Sequence, residues 1–270
     1  MVMQYFYGMI MSSPADLLIT PRRIVSLVPS QTELLYYLGV HSTTVGITKF
    51  CVHPKQWQRT KTIIGGTKNI LTDKIKQLSP DLIIGNKEEN VKEQIGQLEK
   101  DFSVWVTDVN NLDTALLMIN DIGQLTNTAV NASILSEQIK QSFARLFKTH
   151  QKINTAYLIW RNPYMTIGGD TFIHDMLDRC GLQNIFANEK RYPVITTDEM
   201  KNRNCQLVLL SSEPYPFKKQ HINELQAQLP DTNIVLVNGE MFSWYGSRLL
   251  YAVEYFKELI TKINTALQDE

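Results

Sequence analysis

Two apolar runs of the same design stand far apart in this chain. Asp81-Leu82-Ile83-Ile84-Gly85-Asn86-Lys87-Glu88 and Gln206-Leu207-Val208-Leu209-Leu210-Ser211-Ser212-Glu213 each read as a buried strand that closes on a turn and a glutamate. The residue that opens each run and the glutamate that ends it are seven positions apart in both copies, and the two glutamates are 125 positions apart, nearly half of the 270 residues. A strand that is apolar on both faces belongs in a parallel sheet covered by helices on both sides. Two copies at this spacing predict two similar lobes, each showing an acidic residue at the carboxyl end of a central strand.

Around these runs, strand segments alternate with amphipathic helical ones, the pattern of an α/β chain. In the first lobe strands are expected at 24–28, 44–47, 62–64, 82–85 and 104–107, and helices at 32–38, 72–78, 91–100 and 112–125. Ser30-Gln31-Thr32-Glu33 has the form of a capping box for the first helix, and Gly39 suits its stop. Residues 128–149 carry Ile134, Leu135, Ile139, Ser142, Phe143, Leu146 and Phe147 at helical spacing with no Pro or Gly, which predicts one continuous, stiff connector. The second lobe shows strands at 155–160, 207–210 and 234–237 and helices at 171–179, 197–202, 217–229 and 247–267. The predicted division is an N-terminal segment 1–22, an N-terminal α/β lobe 23–127, a connecting helix 128–150 and a C-terminal α/β lobe 151–270.

Composition excludes several classes of function. Lys plus Arg and Asp plus Glu number 27 each, so no net field draws the chain to nucleic acid or anionic lipid. Cys51, Cys180 and Cys205 are odd in number and far apart, and read as core or surface residues, not a disulfide framework or zinc knuckle. Residues 1–11 are apolar, but no Lys or Arg precedes Arg22 and no small-residue cleavage site follows. The expectation is a soluble chain without an export signal or membrane span, for which cytoplasmic residence is open. There is no Gly-x-Ser-x-Gly elbow, Walker loop or dinucleotide fingerprint, so the chain is not expected to be an enzyme. Gly168-Gly169-Asp170-Thr171 reads either as an anion-binding helix opening or as a helix capped by Asp170. Of His41, His53, His150, His174 and His221, only His53, beside Phe50, is near a strand end; His150 and His221 read as solvent-facing, which disfavours a bare-metal site.

Five segments in order carry a resemblance: Arg23-Ile24-Val25-Ser26-Leu27-Val28-Pro29-Ser30 with Thr32-Glu33-Leu34; Gly65-Gly66-Thr67-Lys68-Asn69; Leu78-Ser79-Pro80-Asp81-Leu82-Ile83; Cys180-Gly181-Leu182-Gln183-Asn184-Ile185-Phe186; and Tyr245-Gly246-Ser247-Arg248. Over about residues 22–267 the chain resembles the cobalamin and iron-siderophore substrate-binding proteins of ABC transporters, with the cobalamin-binding branch the most similar. The resemblance implies two Rossmann-like α/β lobes with mainly parallel sheets, joined by one long backbone helix. It implies a monomer of the periplasm or cell envelope that captures cobalamin, another corrinoid or a ferric siderophore between its lobes and delivers it to an ABC permease, with no cofactor and no resident metal. An α/β transferase or lyase with an interlobe active site is the alternative from another class.

Ligands of open α/β sheets lie outside the carboxyl ends of strands. Position and resemblance together nominate Ser30, Gln31, Thr32, Phe50, Thr67, Lys68 and Asn86 in the first lobe. In the second they nominate Trp160, Arg161, Tyr164, Met165, Tyr192, Glu240, Phe242, Trp244 and Tyr245. Trp160 and Trp244 lead, because an indole offers a large flat face with a polar tip. Where cobalamin binders place tryptophans in the first lobe this chain has Thr67-Lys68 and Asn86, and Phe50 replaces a tyrosine, which widens the ligand class to other chelates. By the same resemblance Glu88, Glu89 and Glu213 are candidates for docking to the permease, where separated ion pairs fix orientation more than affinity.

Overall fold

The structure, a computed structural model, describes residues 9–266. Most of the apolar start at 1–11 and the predicted helix end at Leu267 lie outside the described residues. The chain divides into two compact units. One is built from residues up to Val109, Asp113–Ile139 and Tyr245–Arg248; the other comprises Asn110–Leu112, Lys140–Trp244 and the residues from Leu249 onward.

The first unit holds strands β1 (Met9–Ile10), β2 (Ile24–Ser26), β3 (Thr44–Ile47), β4 (Thr62–Ile63), β5 (Leu82–Asn86) and β6 (Ser103–Thr107). They form one sheet in the order β1-β6-β5-β2-β3-β4, parallel at every pairing. Helices α1 (Pro29–Tyr37), α2 (Lys55–Thr60), α3 (Thr72–Leu78), α4 (Lys92–Leu98) and α5 (Leu112–Leu125) follow successive strands, and α6 (Ala129–Ala144) comes next. All five residues of β5 are buried, as a strand covered on both faces must be. Val25, Leu27, Ile83 and Val104 from the sheet pack with Ile75, Ile95 and Leu98 from the helices in one core cluster.

The second unit holds β7 (Ile153–Leu158), β8 (Tyr164–Met165), β9 (Leu182–Asn184), β10 (Val194–Ile195), β11 (Leu207–Ser211) and β12 (Asn233–Val237), with helices α7 (Phe172–Cys180), α8 (Thr197–Asn202), α9 (Lys219–Gln226), α10 (Gly239–Ser243) and α11 (Leu249–Ala266). Its main sheet runs β12-β11-β7-β9, all parallel, and β8 pairs antiparallel with β10. The second apolar run is β11, again buried along its length.

Several local expectations are corrected. The first helix opens one turn early, at Pro29, with Val28 as an N-cap whose side chain makes no capping hydrogen bond. Proline at the first helical position has a preset φ and needs no N–H partner, so the Ser30 capping box is not used. Asp170 does not cap α7: the Thr171 hydroxyl accepts from the His174 N–H at 3.3 Å, while Asp170 accepts from the Arg191 N–H at 2.6 Å. The helix expected across 128–150 ends at Ala144, where the N–H groups of Arg145 and Leu146 turn to the carbonyls three residues back. The helix expected at 217–229 is confined to Lys219–Gln226. His221 is not solvent-facing but 5% exposed.

Cys51, Cys180 and Cys205 are buried free thiols. Burial pushes the Cys180 thiol up to about 12 and the Cys205 thiol up to about 11, and raises that of Cys51. Since the thiolate is the nucleophile, all three should resist a disulfide reagent such as dithionitrobenzoate at about pH 8 in the folded protein and react together in denaturant. Rapid native labelling of even one thiol would contradict this packing.

Candidate functional site

Sheet order fixes where each unit can hold a ligand. From β2 the chain adds β3 and β4 on one side, then returns to place β5 and β6 on the other, so the topological switch point lies between β2 and β5. From β7 it adds β9 on one side and β11 and β12 on the other, which puts the second switch point between β7 and β11. Crevices form at the carboxyl ends of strands at such points. Each repeated apolar run is therefore a strand flanking a switch point.

The two turns that follow these strands share a construction. Asn86 Oδ1 accepts from the Glu88 N–H at 2.8 Å, and Ser211 Oγ accepts from the Glu213 N–H at 3.3 Å. In each case the last strand residue bends the chain by binding the amide two positions on, the geometry of Asx and Ser turns.

At the first switch point the nominated polar residues form a buried lattice. Asn86 Nδ2 donates to the carbonyl and the hydroxyl of Thr107, both at 3.1 Å, and Asn90 Nδ2 donates to the Thr67 carbonyl at 3.1 Å. Gln31 Nε2 donates to Thr107 Oγ1, and Gln31 Oε1 is buried without a hydrogen-bond partner. Ser30, Gln31, Thr32, Thr67 and Asn86 are all at most 8% exposed, so they shape this surface from beneath. Phe50 and Lys68 are the exposed members. The Phe50 ring lies over Gly66, where a Cβ would come within 3.1 Å of it, and Lys49 Nζ stands 5.1 Å from its centroid. Lys68 Nζ donates to the Glu88 carbonyl, which ties the loop after β4 to the turn after β5.

The second switch point carries the aromatic surface. Beyond β7 the chain doubles back: the Met165 N–H donates to the Trp160 carbonyl at 3.2 Å, and the Ile159 N–H to the Met165 carbonyl at 3.0 Å. Trp160 and Arg161 thus sit on a braced turn. The Trp160 ring is 41% exposed and meets Tyr215 edge-on at 5.7 Å. Arg161 pairs with Glu224, and the adjacent Tyr215 hydroxyl, with Glu224 and Tyr164 adding to it, raises the guanidinium above its ordinary value. Tyr164 and Met165, the two residues of β8, are half-buried, and so is Tyr192, which precedes the paired strand β10.

Trp244 and Phe242 occupy different ground from Trp160. Phe242 is fully buried against Tyr157 at 5.2 Å, a core contact. Trp244 is 7% exposed, and its indole N–H donates to Glu213 Oε1 at 3.0 Å, beside the Ser243 hydroxyl at 2.7 Å. The Glu213 carboxylate is therefore anchored within its own unit. Gly239 permits this, because a Cβ there would lie 2.3 Å from Ser211 Oγ and 2.6 Å from Glu213 Cγ. Glu240 is half-buried in α10, and Tyr245, at the start of the segment that belongs to the first unit, is buried. Sequence reasoning missed Tyr215 and Glu224. The Glu213-Pro214-Tyr215-Pro216 stretch directly after the second apolar run was the available signal for Tyr215.

Among the described residues no group of three or more His, Cys, Asp or Glu side chains is placed to hold a metal ion. No helix there is long and apolar enough to cross a membrane.

Comparison with known proteins agrees with this architecture. A vitamin B12-binding protein of Pectobacterium carotovorum is 23% identical over 253 residues, covering 90% of this chain and 90% of the relative. The solved periplasmic vitamin B12 binding protein of Vibrio cholerae superposes with a TM-score of 0.73 at 20% identity, covering 91% of this chain and 98% of that one. A periplasmic heme-binding protein from Roseiflexus gives a TM-score of 0.75 at 18% identity, with 91% and 98% covered. These structures share the fold. Residues 24–231 match the model of the periplasmic binding protein family, and the chain belongs to that family.

Proposed function

We propose that the protein is a substrate-binding protein that captures cobalamin, a related corrinoid or an iron chelate and hands it unchanged to the permease of an ABC transporter. The observation that carries this reading is Trp160: a large indole held 41% exposed on a braced turn at the second switch point, with Arg161 beside it. A flat face next to a cation suits a planar or bulky chelate with acidic or amide substituents. The vitamin B12-binding name of the relative and the heme-binding name of the solved structure support the ligand class. Binding is the whole chemistry, the working form is a monomer, and the place of action is the periplasm or cell envelope.

Titration with cyanocobalamin, hemin and ferrichrome tests the ligand class. At least one should quench tryptophan fluorescence saturably; no saturable change with any of the three, in a folded sample, would remove the reading.

Glu88 and Glu89 follow the first switch strand on a turn fixed by Asn86, whose side-chain oxygen accepts from both amides. They are the candidates for meeting basic residues of the permease, with Glu213 their counterpart in the second unit. Reversing Glu88 and Glu89 to Lys should impair chelate uptake by cells while affinity stays within about twofold, since rim charges act on encounter and orientation. Lost affinity would instead place these two residues in the ligand site.

A further inference from the structure

We propose that Glu224 sets ligand specificity at the second switch point: by neutralising Arg161 it suits the Trp160 surface to an uncharged, amide-bearing macrocycle and disfavours one whose substituents are carboxylates. The inference rests on the reading of Trp160 and Arg161 as ligand-binding groups and narrows the ligand class proposed for them.

Helix α9 brings the carboxylate to this place. Its His221 ring packs against Tyr215 at 5.5 Å, and Tyr215 meets the exposed Trp160 ring at 5.7 Å. Glu224 follows His221 by three positions, so the two side chains share one face of the helix. From that face the Glu224 carboxylate forms an ion pair with the Arg161 guanidinium. The arginine side chain is 25% exposed and the glutamate 42%, which places the pair where a ligand on this turn meets its charge. A pair this exposed adds little to stability. Its consequence is electrostatic: the one cation of the Trp160 turn is already matched.

The surrounding charges make that match decisive. The segments that follow β7, β11 and β12, through α9 and α10, carry Arg161, Lys218 and Lys219 against Glu213, Glu224 and Glu240, three cations and three carboxylates. The Glu213 carboxylate is held by the Trp244 indole N–H and the Ser243 hydroxyl, neutral donors that leave its charge in place. With Glu224 the formal charge of these strand ends is balanced; without it they become cationic around Arg161. A matched guanidinium still donates to an amide oxygen. A carboxylate seated on it must give up its hydration and lie a few ångströms from Glu224, close enough for like charges to change affinity severalfold.

Two corrinoids separate the substituent from the ring. Dicyanocobinamide carries amides where dicyanocobyrinic acid carries carboxylic acids, ionised at about pH 7.5. Dissociation constants for both would be measured with wild type, with Glu224→Gln, and with Glu224→Gln combined with Arg161→Gln, circular dichroism confirming the fold. Wild type should bind the amide form about tenfold or more tighter than the acid. E224Q should lower that preference about fivefold or more, through tighter binding of the acid. The double variant, which lacks both charges, should return the preference to within about twofold of wild type. If Glu224 merely held the turn in place, E224Q would weaken both corrinoids alike and leave the preference unchanged. That result would overturn the proposal, as would a wild type that prefers the acid or a double variant whose preference stays at the E224Q level. Binding of hemin, a dicarboxylate, with no binding of dicyanocobinamide would overturn it too, while the wider ligand reading stands. No saturable binding of either corrinoid or of hemin, in folded protein, removes that reading and the specificity role with it.

Discussion

Trp160→Ala should weaken chelate affinity by about thirtyfold or more, roughly the 2 kcal/mol that marks an aromatic hot spot. The side chain is exposed, yet its setting is fixed before any ligand arrives. Its carbonyl accepts from the Met165 N–H, its ring is braced by Tyr215, and the Tyr215 N–H donates to the Ile159 carbonyl at 3.3 Å. A preordered indole loses little side-chain freedom on binding, so most of its buried area counts toward affinity. The same substitution should remove most of the fluorescence response. Trp57, Trp105 and Trp244 are 3%, 7% and 7% exposed, against 41% for Trp160. Fluorescence titration of W160A beside W160F reads both effects; unchanged affinity in W160A would take the ligand away from this turn.

Arg248→Ala should be the costliest single change to stability, lowering the unfolding midpoint by about 5–10 °C through a loss of roughly 3 kcal/mol. Arg248 Nε and a terminal nitrogen donate to the two carboxylate oxygens of Glu33, at 3.0 and 2.6 Å, with the side chains 11% and 17% exposed. This two-point pair ties α1 to Tyr245–Arg248, the segment by which the chain rejoins the first unit. Removing the arginine leaves a largely buried carboxylate unpaired, and that penalty dominates. Replacing both partners, as in Glu33→Met with Arg248→Met, should restore most of the loss. Thermal unfolding followed by circular dichroism distinguishes these outcomes, and a midpoint for R248A within about 1 °C of wild type would show that the pair contributes little.

The fold was legible in the sequence because its signals are periodic. β5 and β11 announce themselves as uninterrupted apolar runs, and the long helices α5 and α11 by an apolar stripe. Two-residue strands such as β8 and β10 carry no period, and they escaped notice although their pairing braces Tyr164 and Met165. The start of α1 was misjudged because Pro29 and Ser30 are both good opening residues, and only the backbone decides between them.

The candidate site was legible by position, not by role. Strand ends located Trp160 and Arg161, but the same rule nominated Phe242 and Trp244, which pack inward. Alternation within a loop gives no face to read. Glu224, which pairs with Arg161, and Tyr215, whose ring meets Trp160, lie more than fifty residues on, and His221, buried on the same helix as Glu224, reads in sequence as a polar residue on an exposed helix. Glu213 shows the same limit: sequence marks it as an exposed acid, whereas Trp244 and Ser243 hold its carboxylate.

Equilibrium dialysis with labelled cyanocobalamin, followed by chromatography of the recovered ligand, tests the central claim most directly. Saturable binding at one ligand per chain, with the corrinoid recovered chemically unchanged, is the expected result. Conversion of the corrinoid to a new species, or a bound fraction that never saturates, would contradict a protein that captures its ligand and passes it on intact.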